Sequence, residues 1–300
     1  SIWILDNIAP LREMIKTQKE SVHLFTPSVA TRVRDNMFHD TPLPPEEPTG
    51  QNPPDGAILD YHLVVDASSV QLEILHQDGK VIRSYASDNL PVNVDTTTQR
   101  HPSYWMRPVQ KLGTSAGHHR FTWDLKYAPP RGADASYSIA AVYNNTPSGP
   151  VGPMVNPGRY RVRLTVDGEV TEKSLALRMD PRVSISSAAL QSQHNLSMAC
   201  YQAYHELQEM AETIFTQKKP SLAALALLGT GSPSDQDVLY GSIRAVSAEK
   251  ETIIGLQNKL IYMMNVLQSA DVNPTSQAQN GVKDLLDVAV ILKVRWNKED

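Results

Sequence analysis

Four groups of residues in this sequence are of types that could do chemistry. His118 and His119 stand side by side, with Asp124 and His101 nearby, which is raw material for a metal centre or an acid–base pair. Successive strand residues point to opposite faces, however, so His118 and His119 cannot share a ligand sphere without a bulge, and an ordinary strand edge is the expected setting. Glu46 and Glu47, with Asp55 or Asp60, could supply paired carboxylates for glycoside hydrolysis. That chemistry needs two carboxyls fixed on opposite sides of a bond in a cleft, whereas Glu46 and Glu47 sit in a Pro-rich stretch open to solvent. His205 and Glu209 are one helical turn apart with Cys200 five residues before, but such a pair reads as a surface i,i+4 contact and Cys200 as a buried small hydrophobe. The fourth group is aromatic: Tyr104 and Trp105, then Tyr127, Tyr137 and Tyr143. Aromatic side chains on loops can stack on pyranose rings. They equally anchor an insertion or a neighbouring domain, and that packing role is the leading expectation. No GxSxG, HExxH, P-loop or GxGxxG motif occurs. No catalytic residue, metal ligand or cofactor site is therefore assigned.

The elements that must carry these residues fall into three stretches. Residues 1–54 open on "SIWILD", whose β-branched and aromatic run has the composition of a buried strand, continue through a short charged helical turn and an extended segment, and end in the Pro-rich "DTPLPPEEPTGQNPP". That punctuation predicts a domain boundary. From 55 to 182 the period is two. "VQLEILHQDGKVIRSY" reads as a hairpin turning on Asp78-Gly79 with the positive φ values of a type I′ turn, and "GRYRVRLTVDGEV" repeats the logic at Asp167-Gly168. "HRFTWDL" places Phe121, Trp123 and Leu125 on one face. Short alternating strands with regular turns predict an Ig-like or fibronectin-like β-sandwich, with residues 128–157 as a long insertion over one end. From 183 to 300 the period becomes helical. Stripes through Leu196–Ile214, through Leu239–Leu267 with Ser234 and Asp237 as a cap, and from about Thr275 to Trp296 predict an antiparallel three-helix bundle. The whole is a multi-domain β-then-α chain preceded by an orphan strand.

The segments "SIWILDNIAPLR", "NPPDGAILDYHL", "PSYWMRPVQKLGTSAGHHRFTWDLKYAPP", "NPGRYRVRLTVDGEV", "LRMDPRV" and "SADVNPTSQAQ" together resemble the C-terminal region of large exported bacterial proteins that carry sortilin-type BNR-repeat β-propellers, often labelled glycosyl hydrolases. The pair "HRFTWDL" and "PGRYRVRLTVDG" is its most specific part, and the β segment also resembles, more loosely, the Ig-like domain of flagellar hook-assembly proteins. The resemblance implies that "SIWILD" is the closing strand of a propeller lying upstream, and that any hydrolase activity belongs to that propeller. It implies export, with any signal removed or upstream, and a non-catalytic accessory role for these 300 residues. The alternative is a carbohydrate-binding module serving the propeller's active site.

Composition sets the remaining bounds. A net charge of −4 supplies no general attraction to nucleic acid or anionic lipid. No segment reaches the ~20 apolar residues needed to cross a bilayer. The single cysteine rules out an intrachain disulfide. Neither nucleic acid nor membrane insertion is expected, and the expected partner is the propeller.

Overall fold

The computed structural model describes residues 7–17, 20–34, 54–89, 103–133, 136–137, 148–216, 221–229 and 251–297. The chain forms two compact units. One comprises residues 1–128, 135–149 and 155–183; the other comprises 129–134, 150–154 and 184–300.

Among the described residues, the first unit holds helix α1 (Ala9–Thr17) and ten strands: β1 (Val22–Leu24), β2 (Ala30–Arg32), β3 (Ala57–Leu63), β4 (Val70–Leu75), β5 (Val81–Ala86), β6 (Gly117–Trp123), β7 (Ser136–Tyr137), β8 (Ser148–Gly149), β9 (Gly158–Val166) and β10 (Glu169–Met179). A three-stranded sheet runs β1-β3-β6 and a five-stranded sheet runs β2-β10-β9-β4-β5, with β2 parallel to β10; β7 and β8 pair separately. The inner faces follow from period two. Leu59, Tyr61, Leu63, Leu72, Ile74, Val162 and Leu164 alternate with residues facing outward and are all buried. Aromatic rings join the two faces: Phe121 on β6 lies 4.5 Å from Tyr85 on β5, and Trp123 lies 5.9 Å from Tyr160 on β9.

Two expectations change here. Residues 21–33 were read as extended, and β1 and β2 form there; because they hydrogen-bond into the two sheets, the β unit starts before the Pro-rich stretch at which the boundary was expected. Three-residue strands carry too little periodic pattern to be separated from loop by eye. The two hairpins also differ. Asp167 (φ 48°) and Gly168 (φ 92°) both take positive φ, as a type I′ turn requires, whereas at the first hairpin only Gly79 does so. There, the Asp78 carboxylate accepts from the Lys80 N–H (3.0 Å) and the strands close with His76 N–H donating to Lys80 O, a three-residue loop with glycine in the left-handed position.

The second unit contains α2 (Ser187–Thr216), α3 (Leu222–Leu228), α4 (Ile253–Leu267) and α5 (Ser276–Trp296). Cys200, Leu207, Ile214, Leu256, Leu260, Met263, Leu285, Leu292 and Trp296 from the three long helices belong to one core, with Leu227 and Leu228 of α3. The expected second helix is shorter at its start than the stripe suggested. Thr252 is extended (φ −119°, ψ 161°) and its hydroxyl accepts from Gly255 N–H, so α4 begins at Ile253 and the apolar stripe does not run through it as one helix. Ser234, Asp237, Leu239, Ile243 and Val246 lie outside the described residues. The stretch 128–157, expected as one insertion over the β-sandwich, is divided, because 129–134 and 150–154 group with the helices. Tyr204 donates to Arg131 O (3.1 Å), Met154 N–H donates to the Gln268 side chain (2.7 Å), and His194 donates to Met154 O (3.1 Å).

Burial among these apolar side chains pushes the Cys200 thiol up to about 12. The thiolate is the reactive species, so a colourless-to-coloured thiol reagent added to native protein at pH 8 is expected to leave Cys200 unmodified and to label it stoichiometrically in denaturant. Rapid labelling of the native protein would contradict the placement of α2.

Candidate functional site

The aromatic candidates come first. Tyr104 and Trp105 occupy a single 3-10 turn (Ser103–Trp105), with Tyr104 48% exposed and Trp105 half-buried. Their centroids are 6.3 Å apart and their planes lie at 88°, edge to face. Perpendicular rings do not form the flat platform on which a pyranose stacks. Tyr127 is half-buried, which raises its hydroxyl pKa, and its carbonyl accepts from Arg83 Nη1 at 3.4 Å. Tyr137 lies in the two-residue strand β7, paired with Ser148. Tyr143 lies outside the described residues, as do His101, Glu46 and Glu47.

The histidine pair behaves as strand alternation demands. His119 donates to Ser115 O at 2.6 Å and stacks on Tyr61 at 5.0 Å, while His118 turns the other way, its Nε2 3.1 Å from Asp60 Oδ1. Asp124 accepts from Lys126 N–H in the turn after β6. His205 lies against the rings of Tyr201 and Tyr204, and burial lowers its pKa. Asp55 is exposed. Among the described residues no group of three His, Cys, Asp or Glu is arranged to hold a metal ion.

A buried polar constellation among the described residues was not expected as a unit. It lies on the outer face of the three-stranded sheet, between that sheet and the lead-in to α1. Antiparallel register sets His23, His62 and His118 on one rung across β1, β3 and β6, and Asp60 opposite Arg120 on β3 and β6. Asp60 is buried. Its Oδ1 accepts from Arg120 Nε (2.8 Å) and faces His118 Nε2; its Oδ2 accepts from Asn7 Nδ2 (3.0 Å) and, at 3.5 Å, from Arg120 Nη2. Asn7, itself buried, accepts through Oδ1 from Ala9 N–H (3.1 Å) and Ser28 Oγ (3.0 Å). One rung away, the buried His23 ring has Nε2 3.2 Å from Glu13 of α1 and Nδ1 against Glu20. Phe25 lies between the histidines, 4.8 Å from His23 and 5.4 Å from His118.

The chemistry this permits is narrow. A general base needs a lone pair directed at a substrate proton. Both Asp60 oxygens already accept from guanidinium, and one each from imidazole and amide, so the carboxylate is spent on holding three elements together. Asp60 was weighed from the sequence as a catalytic carboxylate; its geometry is that of a clamp. Asn7, His23 and Arg120 were missed because each is an ordinary polar residue in its own segment; the register of β1, β3 and β6 brings His23 and Arg120 beside Asp60, and Asn7 reaches Asp60 from the lead-in to α1.

No family model and no curated protein matches the chain. Among solved structures, similarity is found to the crystal structure of CopC from Methylosinus trichosporium OB3b, with 10% sequence identity, a TM-score of 0.20, and coverage of 43% of this chain and 80% of that one.

Proposed function

We propose that this chain is a non-catalytic accessory region of an exported β-propeller protein, in which an Ig-like sandwich followed by an antiparallel three-helix bundle stabilises or presents a propeller lying upstream. The observation that carries the reading is the Asn7 clamp. Asn7, two positions after the apolar run of residues 2–5, is fixed by Asp60 and Ser28 and accepts from Arg120 through its backbone carbonyl. A strand given to an upstream sheet would therefore be joined to this region almost without slack. Residues 1–6 themselves lie outside the described residues.

The Ig-like assignment is supported by strand order. Taking β1, β2, β3, β4, β5, β6, β9 and β10 as A, A′, B, C, C′, E, F and G gives sheets A-B-E and A′-G-F-C-C′, the partition of such sandwiches. Tyr160, near the start of β9, donates its hydroxyl to Asn156 O four residues upstream, the pattern of a tyrosine corner. Among the described residues no helix is long and apolar enough to cross a membrane.

Hydrogen exchange on residues 2–6 tests the reading. Those amides are expected to exchange rapidly in the 300-residue chain and slowly in the protein extended upstream. Strong protection in the monomeric 300-residue chain would show that the strand belongs to this region's own fold and would overturn the propeller reading.

A further inference from the structure

The His23 ring has a carboxylate against each of its nitrogens. It is buried on β1, with Nε2 3.2 Å from Oε2 of Glu13 on α1 and Nδ1 against Oε2 of Glu20, three residues before it. Each contact needs a hydrogen between nitrogen and oxygen, and ionised carboxylates bring none. Two protons must therefore sit within the trio, and with both carboxylates ionised the ring is an imidazolium that donates from both nitrogens. Removing one proton sets a ring lone pair against a carboxylate, and one of the two contacts is lost. His118 differs, because only its Nε2 faces a carboxylate, Asp60 Oδ1, and a neutral imidazole supplies that single hydrogen. The Asn7 clamp is likewise insensitive to a proton on His23, since the Asp60 carboxylate accepts from the Arg120 guanidinium and the Asn7 amide.

We propose that His23 is a proton-controlled latch for α1: the doubly protonated ring holds Glu13 and with it the helix, and the neutral ring releases the far half of α1 while its start stays fastened at Asn7. The docked helix binds one proton more than the released one, so docking is favoured at low pH and weakens as rising pH deprotonates the ring. Protonating a glutamate in acid leaves its carbonyl oxygen free to accept, so the latch opens on the alkaline side. Among the described residues, the charged and titratable groups around His23 come from five elements. Glu13 lies on α1, Glu20 precedes β1, and His62 on β3 is the rung partner of His23. β6 brings His118 and Arg120 to Asp60 of β3, and β10 brings Glu169, whose carboxylate accepts from Ser21 Oγ. Only Glu13 and Glu20 contact the ring nitrogens of His23 through a carboxylate. Exposure decides which contact matters more: the Glu13 side chain is 16% exposed and that of Glu20 52%, so Glu20 recovers water when its contact breaks and Glu13 does not. Pro10 is buried and Ala9 N–H donates to Asn7 Oδ1, which holds the first turn of α1 whatever the state of the ring.

Hydrogen exchange of the 300-residue chain from about pH 5.5 to about pH 9.5, with each rate taken relative to the intrinsic rate at that pH, tests the latch. The amides of residues 13–17 are expected to lose about tenfold or more in protection across the range, while those of β9 and β10 stay within about twofold. The carbon-bound ring protons of His23, followed by NMR, are expected to titrate with the same midpoint as the loss of α1 protection. Glu13→Gln isolates the proton. Its amide can turn Oε1 to a ring N–H or Nε2 to a ring lone pair, so it serves either state of the ring, and α1 protection in this variant is expected to vary by no more than about twofold with pH. Constant α1 protection in the parent, an equal loss in the parent and in Glu13→Gln, or an equal loss at β9 and β10 would each overturn the latch. If Glu13→Gln leaves α1 unprotected at every pH, the ring titration of the parent decides. Coincident midpoints uphold the proposal, and a ring that deprotonates while α1 keeps its protection overturns it.

Discussion

Replacing Trp123 with alanine is expected to lower the stability of the β unit by about 3–5 kcal/mol. The indole is fully buried at the end of β6, with its ring 5.9 Å from that of Tyr160. Its N–H donates to Lys126 O at 3.0 Å, across the sharp turn in which Leu125 takes φ 62°. Alanine would therefore open a large cavity where the two sheets meet and would also remove the donor that holds a strained backbone turn. Trp123→Phe separates the two contributions. It keeps most of the apolar contact and is expected to cost distinctly less than alanine, with the loss of the hydrogen bond contributing about 1 kcal/mol. Because the chain has two compact units, the measurement should follow the β3 and β9 amides by hydrogen exchange alongside the melt, so that unfolding of the helical unit does not obscure the result. An alanine variant as stable as the parent would mean that Trp123 is not on the inner face.

What was legible in the sequence followed from period. Phe121, Trp123 and Tyr160 could be assigned to inner faces because alternation over seven or more residues leaves one phase, and α5 could be placed because Thr275 caps an uninterrupted stripe. The start of α4 was misplaced because a stripe of correct spacing says nothing about whether the backbone between two of its members stays helical; Thr252 stops it with one side-chain hydrogen bond. The extended reading of residues 21–33 could not be resolved into β1 and β2 or assigned to sheets, because three residues carry no usable period. The clamp at Asp60 could not be found from local sequence at all. Its members come from residues 7, 28, 60, 118 and 120, and a buried carboxylate looks the same in sequence as a solvated one until register sets a guanidinium opposite it. The aromatic candidates show the converse: Tyr104 and Trp105 have the right composition for stacking, and their perpendicular planes are a property of the turn that no composition shows.

The second large effect concerns that clamp. Asp60→Ala is expected to destabilise the β unit by about 3 kcal/mol, near the lower end for breaking a buried ion pair, because Arg120 keeps 31% of its side chain in water and can recover part of its solvation. The alanine would leave the Arg120 guanidinium, the His118 ring and the Asn7 amide without their common acceptor. Asp60→Asn is not an innocent replacement. Whichever way the new amide turns, its –NH2 meets a donor, either Asn7 Nδ2 or the Arg120 guanidinium, so it too is expected to cost about 1–3 kcal/mol. A double-mutant cycle with Arg120→Ala should return a coupling of about 1–3 kcal/mol, since the two side chains are in direct contact. The local consequence distinguishes a clamp from a generic core contact. Asn7 sits at the entry to α1, so losing Asp60 should speed exchange of the α1 amides well beyond the change in global stability, while the β9–β10 hairpin, held by its own nine-pair ladder, should follow global stability alone. Equal changes at α1 and at β9–β10 would show that Asp60 supports the sheet and does not fasten the helix. In that case the fixing of Asn7 at the entry to α1 would lose its physical basis.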